Sequence, residues 1–136
     1  MKPAVVDSGV LYALFDRRDD WHARAVAFFK DHSHDIVVPL TILGEVGYMV
    51  EAKLGGTAPR ALADWLSQGL VQTEGLLPQD LMRMTQLMSK YPALGFVDAS
   101  VAAIAERLVI DMIATTDRRH FSAIRPLHTE RFTLVP

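Results

Sequence analysis

Short apolar runs alternate with segments of helical periodicity along the chain. Five runs predict β-strands, and they cover residues 4–6, 36–38, a run that begins at 70–71, 112–114 and 132–135. Between these runs, apolar residues recur at three- and four-residue intervals, which predicts amphipathic helices. Strands that alternate with helices predict an α/β fold with a central, mainly parallel sheet flanked by helices.

The helical segments differ in how clearly they are marked. Val101, Ile104, Ala105 and Leu108 follow the i, i+3, i+4, i+7 pattern of one helix face. Further helices are predicted over 19–29, from 42 to about 54, over 58–66 and from 78 onwards. No linker, repeat or low-complexity stretch interrupts the 136 residues, so we expect one domain over residues 1–136.

Composition excludes several classes of protein. The chain has no cysteine, which rules out disulfides, thiolate zinc sites and cysteine nucleophiles. No apolar stretch reaches the roughly 18 residues of a membrane span, and the N-terminus lacks the pattern of a signal peptide. We therefore expect no membrane association and a cytoplasmic location. The net charge of −2 gives no overall basic field for nucleic acid.

Four acidic residues follow predicted strands or lie in helices near their starts, and we call them the acidic quartet: Asp7, Glu45, Asp98 and Asp117. Asp7 and Asp117 come after the first and fourth strands. Glu45 falls on the apolar, inward-facing stripe of its helix, whereas Glu51, six residues later, faces solvent. Asp98 lies in the first turn of the last long helix.

The predicted fold brings these four carboxylates together. In an open parallel sheet, the ligand crevice lies outside the carboxyl ends of the strands. Carboxylates gathered there repel one another and raise one another's pKa values unless a cation neutralises them. Oxygen ligands favour Mg²⁺ or Mn²⁺, and such an ion can activate water for attack on a phosphodiester. The quartet therefore predicts a metal site.

Taken singly, most of these acids have a simpler explanation. Asp7 and Asp98 are both favourable helix N-cap residues, and Asp117 is typical of a turn. Glu45 is the hardest to explain in this way, because an inward-facing glutamate needs a partner.

Four stretches of the chain resemble the successive motifs of PIN-domain ribonucleases, and most closely the VapC toxins of VapBC toxin–antitoxin pairs. These stretches are VVDSGVLYALFDRRDDWHARA, LTILGEVGYMV, GFVDASVAAIAERL and IATTDRRHF. The resemblance implies a PIN fold and Mg²⁺- or Mn²⁺-dependent endonuclease action on structured RNA, commonly tRNA or ribosomal RNA. It also implies metal-binding and catalytic roles for the acidic quartet.

The resemblance extends to residues around the quartet. Ser8 and Thr115 match positions at which the family often has hydroxyls that support the pocket. His120 is a departure, because related proteins often have an acid there. Arg118 and Arg119 lie beside the last acid, where they are candidates for a phosphate contact or simply an exposed pair.

The resemblance further implies two protein partners. One is a VapB-type antitoxin, whose C-terminal segment would cover a groove near Trp21 and Met49 and place an arginine among the acids. The other is a second copy of the chain, in a homodimer. The rival interpretation is a non-catalytic PIN-like module that binds RNA or protein, and a DNA-cleaving or other phosphodiesterase is a third. The intact acids favour the ribonuclease.

Overall fold

Five short strands form one sheet in the computed structural model, which describes residues 2–136. The strands are β1 (Ala4–Val6), β2 (Ile36–Pro39), β3 (Gln72–Glu74), β4 (Met112–Ala114) and β5 (Thr133–Val135). Their order across the sheet is β3-β2-β1-β4-β5, and every neighbouring pair is parallel. The predicted α/β architecture with a mainly parallel sheet is thereby confirmed.

Helices connect the strands. They are α1 (Ser8–Phe15), α2 (His22–Asp31), α3 (Leu40–Lys53), α4 (Ala58–Ser67), α5 (Pro78–Lys90), α6 (Phe96–Arg107) and α7 (Arg118–Ser122). Within residues 2–136, no helix has the length and hydropathy that a membrane crossing requires.

The direction in which the sheet grows reverses beside β1. Two crossovers, through α1 and α2 and then through α3 and α4, extend the sheet from β1 to β2 and β3. The next crossover, through α5 and α6, returns the chain to the opposite side of β1, where β4 pairs with it. Open α/β sheets bind ligands at such a switch point, outside the carboxyl ends of the strands.

Helix α6 lies in the centre of the core. Every residue from Ala99 to Glu106 is buried, and α6 packs on β1, β2, α3 and α5. Four of these eight residues are alanines, whose small side chains let a helix approach its neighbours closely. The position of this helix matters for function because Asp98 lies in its first turn.

Two buried acids, Asp80 and Glu106, join α5 to α6 beside a surface pocket that Met82 and Leu127 also line. The Asp80 carboxylate accepts hydrogen bonds from the main-chain N–H of Leu77 at 2.8 Å and from Nε of Arg107 at 2.9 Å. Glu106 accepts two hydrogen bonds from Arg83, at 2.7 and 3.0 Å. Buried carboxylates need such partners, so these pairs fix the two helices against each other.

Several predicted boundaries are wrong by one to three residues, including the start of α3, at 40 rather than 42, and the end of α2, at 31 rather than 29. Helix α2 begins at 22 rather than 19, because Asp19 accepts a hydrogen bond from the N–H of Trp21 in a turn that precedes the helix. The third strand begins at Gln72 rather than at 70–71, and it is polar because it lies at the edge of the sheet. The last strand begins at 133 rather than 132, and Phe132 is buried just before it.

The hydrophobic pattern gives no bounds for two of the helices. Helix α1 contains a run of buried residues, Val10 to Ala13, so it shows no alternation of polar and apolar faces. Helix α7 has only five residues, which is too short for a helical period to appear.

Gly9 allows α1 to pass close to the loop that follows β4. A β-carbon at this position would lie 2.3 Å from Oγ1 of Thr116 and 3.3 Å from its β-carbon. Both contacts are shorter than ordinary van der Waals separations. The lack of a side chain at residue 9 therefore sets the distance between the first and last parts of the chain at the switch point.

We expect Gly9→Ala to lower the free energy of unfolding by about 1–3 kcal/mol, because the added methyl group overlaps Thr116. The double variant with Thr116→Ala should recover part of this loss. Gly47→Ala is the matched control, since a β-carbon added there would have no neighbour within 4 Å and alanine is the better helix former by about 1 kcal/mol. Urea unfolding of these three variants and the wild-type protein measures the effect. Equal stabilities for the Gly9 and Gly47 variants would show that the close approach is unimportant.

Candidate active site

Asp7 is buried at the junction of β1 and β4. Its main-chain N–H donates to the carbonyl of Ala114 at 2.8 Å, which extends the pairing of the two strands. The carboxylate accepts hydrogen bonds from the N–H of Ser8 at 2.8 Å and from the hydroxyl of Thr115 at 3.0 Å. Asp7 is the N-cap of α1, as the simpler interpretation predicted. A carboxylate has about four lone-pair sites, so these bonds leave it capacity for another ligand.

Burial makes the charged form of Asp7 unfavourable. Only 5% of the residue is exposed, and this desolvation raises the pKa of its carboxyl from 3.8 to about 6. The hydrogen bonds from Ser8 and Thr115 lower the pKa, and the charges of Asp98 and Glu45 raise it further. The site therefore combines a poorly solvated carboxylate with acidic neighbours, which favours binding of either a proton or a cation.

Thr115 links Asp7 to Asp117. Its side chain is fully buried, and its hydroxyl lies within hydrogen-bond distance of the Asp7 carboxylate and of the main-chain N–H of Asp117, at 3.0 and 2.9 Å. The hydroxyl accepts from that N–H and donates to the carboxylate. Ser8 contacts Asp7 through its main-chain N–H rather than its hydroxyl.

Asp98 and Asp117 lie close together, one in the first turn of α6 and the other immediately before α7. Asp98 is the third residue of α6, whose N-cap is Gly95, so the interpretation of Asp98 as an N-cap is wrong. Burial raises the pKa of Asp98, and the charges of Asp117 and Glu45 raise it further, whereas a hydrogen bond with His120 lowers it. The Asp117 side chain is about half exposed.

Glu45 does not occupy a buried position, contrary to the prediction. The residue is exposed, although Ile42 and Val46 on the same helix are buried. Its helix borders an open cleft at this level, so the side that was expected to face the core faces solvent instead.

A 2.6 Å hydrogen bond between the hydroxyls of Thr41 and Ser100 ties the start of α3 to α6.

His120 joins the two acids at the last helix. Its Nδ1 lies 2.9 Å from Oδ2 of Asp117 and 3.2 Å from Oδ2 of Asp98. Sequence reasoning treated His120 only as a departure from the family pattern. The signal that would have placed it in the site is its spacing of three residues from Asp117, because residues i and i+3 share one helix face.

The acidic quartet lines one cleft of about 460 Å³, together with Ser8, Gly9, Thr116 and the residues 95–97. The sheet and the three helices α1, α3 and α6 thus bring together the four acids that were predicted to meet. Arg118 and Arg119 do not line this cleft. The Arg118 guanidinium donates to the main-chain oxygens of Leu134 and Pro136, and its role in phosphate binding stays a prediction.

Comparison with known proteins decides the family. Residues 4–125 match the family profile of the PIN domain. The chain belongs to the PIN-domain family. It is 33% identical over 135 residues to Ribonuclease VapC26 of Mycobacterium tuberculosis, in a match that covers 97% of this chain and 99% of that protein. The predicted family and its VapC-type subgroup are confirmed.

Solved structures agree with the PIN fold. The crystal structure of Mycobacterium tuberculosis VapC20, described as a sarcin–ricin loop cleaving toxin, superposes with a TM-score of 0.81 at 19% identity. The match covers 93% of this chain and 98% of that one. The DNA-bound VapBC structure from Salmonella typhimurium gives a TM-score of 0.68 at 15% identity, with 91% and 93% covered.

The donors of this PIN-domain cleft fit a divalent cation. Side-chain atoms of Asp98, Asp117 and His120 that can bind a metal lie within 4.8 Å of one another. The buried Asp7 carboxylate lines the same cleft, and its raised pKa reflects charge that the protein alone compensates incompletely. Hard carboxylate oxygens in this number favour a divalent ion over a monovalent one.

Asp7 gives the metal-free protein a pH-dependent stability. Because its pKa is higher in the folded than in the unfolded state, the native state holds more protons between about pH 4 and 6. The free energy of unfolding should therefore fall as pH rises through this range, by about 3 kcal/mol from Asp7. Asp7→Asn should lack this part of the decrease. Urea unfolding at several pH values in a chelator tests this, and parallel pH profiles for the two proteins would contradict it.

Proposed function

We propose that this PIN-domain protein is a metal-dependent endoribonuclease that acts as the toxin of a VapBC-type toxin–antitoxin pair. It hydrolyses phosphodiester bonds in structured RNA, with tRNA or ribosomal RNA as the substrate class. The observation that carries the proposal is the meeting of four carboxylates in one open cleft at the switch point of the sheet. Structural acids placed only for capping would not need to meet there.

The acidic quartet would hold Mg²⁺ or Mn²⁺. A bound divalent ion supplies an activated water and neutralises charge on the phosphate oxygens. The protein residues fix the geometry: Thr115 orients Asp7 and Asp117 through its hydroxyl, and the Thr41–Ser100 bond sets α3 against α6. Glu45 lies exposed in the cleft, where it can accept a proton from a water molecule.

RNA as the substrate is supported by the named relatives. The protein that is 33% identical over nearly the whole chain is called a ribonuclease, and the VapC20 structure is described as cleaving the sarcin–ricin loop. The cleft itself is acidic and open, so an RNA phosphate requires the cation as a bridge. Arg118 and Arg119 flank the site in the sequence and are proposed to contact neighbouring phosphates.

Asp98→Asn and Glu45→Gln should each lower RNA cleavage by at least about a hundredfold, because they remove a charge from the cleft while they keep the side-chain shape. Glu51→Gln is the matched control, since it removes an exposed acid of the same helix outside the cleft. Cleavage of total tRNA and ribosomal RNA in Mg²⁺ or Mn²⁺ is measured on gels. Native rates for folded Asp98→Asn would favour the non-catalytic RNA- or protein-binding module instead.

The proposed biological context is the cytoplasm, with an antitoxin as partner and a homodimer as the assembled state. Related structures include a toxin–antitoxin complex from Klebsiella pneumoniae and VapBC of Salmonella typhimurium. In this chain, an arginine from the partner would form charge-assisted hydrogen bonds with the quartet and would exclude both the ion and the RNA. The groove is proposed to run near Trp21 and Met49, which are half-buried against the core.

Expression of this chain alone should arrest growth, and co-expression of a small protein encoded immediately upstream should relieve the arrest. Replacing the groove arginine of that protein by alanine should weaken both binding and nuclease inhibition. Asp98→Asn, expressed to the same level, is the control that should not arrest growth. A chain that stays monomeric, binds no upstream-encoded protein and leaves growth unaffected would contradict the assignment as a toxin.

A further inference from the structure

The contacts of His120 extend the site beyond its acids. Its Nδ1 lies 2.9 Å from one oxygen of Asp117 and 3.2 Å from one oxygen of Asp98. All three atoms lie within 4.8 Å of one another. The polar side chains that line the cleft, including the acidic quartet and Ser8, offer oxygen atoms only.

We propose that His120 is a direct ligand of the divalent ion, and that its nitrogen makes the site select Mn²⁺ over Mg²⁺. The inference rests on the proposed function, because it concerns the same metal site. Related proteins often have an acid at this position, and the sequence alone gave His120 no role in metal binding.

The distances suit adjacent ligands of an octahedral ion. Bonds of about 2.1 Å at right angles separate neighbouring donor atoms by about 3.0 Å. The two separations between Nδ1 and the carboxylate oxygens, 2.9 and 3.2 Å, lie on either side of this value. An ion placed between the three atoms needs little movement of the side chains. The imidazole would carry its proton on Nε2 and offer Nδ1 to the ion.

The identity of the donor sets the preference among ions. Mg²⁺ is a hard ion that takes oxygen ligands and keeps its waters. Imidazole nitrogen suits first-row transition metals, among which Mn²⁺ also accepts carboxylates. A cleft with one nitrogen among carboxylate oxygens therefore binds Mn²⁺ more tightly than an all-oxygen cleft does, and it gains little for Mg²⁺.

The same distances also fit a second arrangement, in which His120 only donates a hydrogen bond to the two acids and holds them in position. His120→Asn separates the two. The asparagine amide keeps a hydrogen-bond donor near the place of Nδ1, but it has no nitrogen lone pair to bind a metal. If His120 only positions the acids, this variant keeps its preference between the ions.

The experiment measures binding of Mn²⁺ and Mg²⁺ alone, by calorimetry, to the full chain and to His120→Asn and Asp98→Asn. Loss of a residue that only hydrogen-bonds to a metal ligand already lowers metal affinity about tenfold or more. We therefore expect His120→Asn to weaken Mn²⁺ binding at least about tenfold. Mg²⁺ binding should change by less than about threefold. Pulsed EPR of the Mn²⁺ protein should show nitrogen coupling from an imidazole, and His120→Asn should lose it.

Each outcome decides a different point. If the wild-type protein and His120→Asn have the same ratio of Mn²⁺ to Mg²⁺ affinity, and neither shows nitrogen coupling, the role of His120 is overturned. The metal site of the quartet would remain intact. Wild-type protein that binds neither ion, or that binds them no better than Asp98→Asn, would overturn the proposed function together with the inference. Thermal melting in a chelator checks that both variants are folded.

Discussion

The carboxylate of Asp7 is buried at the end of β1, beside which the order of strand addition to the sheet reverses. Burial raises the pKa of this carboxyl to about 6, although hydrogen bonds from the N–H of Ser8 and the hydroxyl of Thr115 lower it. The other three acids of the quartet line the same cleft, and the charges of Asp98 and Glu45 raise the pKa of Asp7 further. A bound cation would relieve these costs together, which is why the proposed metal site lies here.

The parts of the structure that hold this arrangement lie outside the cleft. Ser100, fully buried, joins α6 to α3 through Thr41. Two ion pairs hold the other side of α6 against α5, namely Asp80 with Arg107 and Glu106 with Arg83. These contacts restrain the helix that carries Asp98, because a helix moves as a unit when its far end is anchored. The buried ion pairs thus serve the geometry of the site.

The sequence predicted the fold class and the meeting of the acids because both depend on regular features. Buried strands are short apolar runs, and residues that follow parallel strands gather at one edge. The exposure of Glu45 was not predictable, because a helical stripe shows which side faces the domain but not where that side opens into a cleft. The contact of His120 was missed because its spacing of three residues from Asp117 is informative only within a helix, and the five-residue α7 is too short to show a helical period in the sequence. The polar strand β3 was misplaced because an edge strand need not be apolar.

Pairing the first strand with the fourth also sets the order in which the site comes into existence during synthesis. Asp7 leaves the ribosome almost first, yet its strand neighbour β4 and the partners Thr115 and Asp117 follow more than a hundred residues later. No partial chain that ends before residue 117 contains the full quartet. The cleft with all four acids can therefore form only after nearly the whole chain has been synthesised.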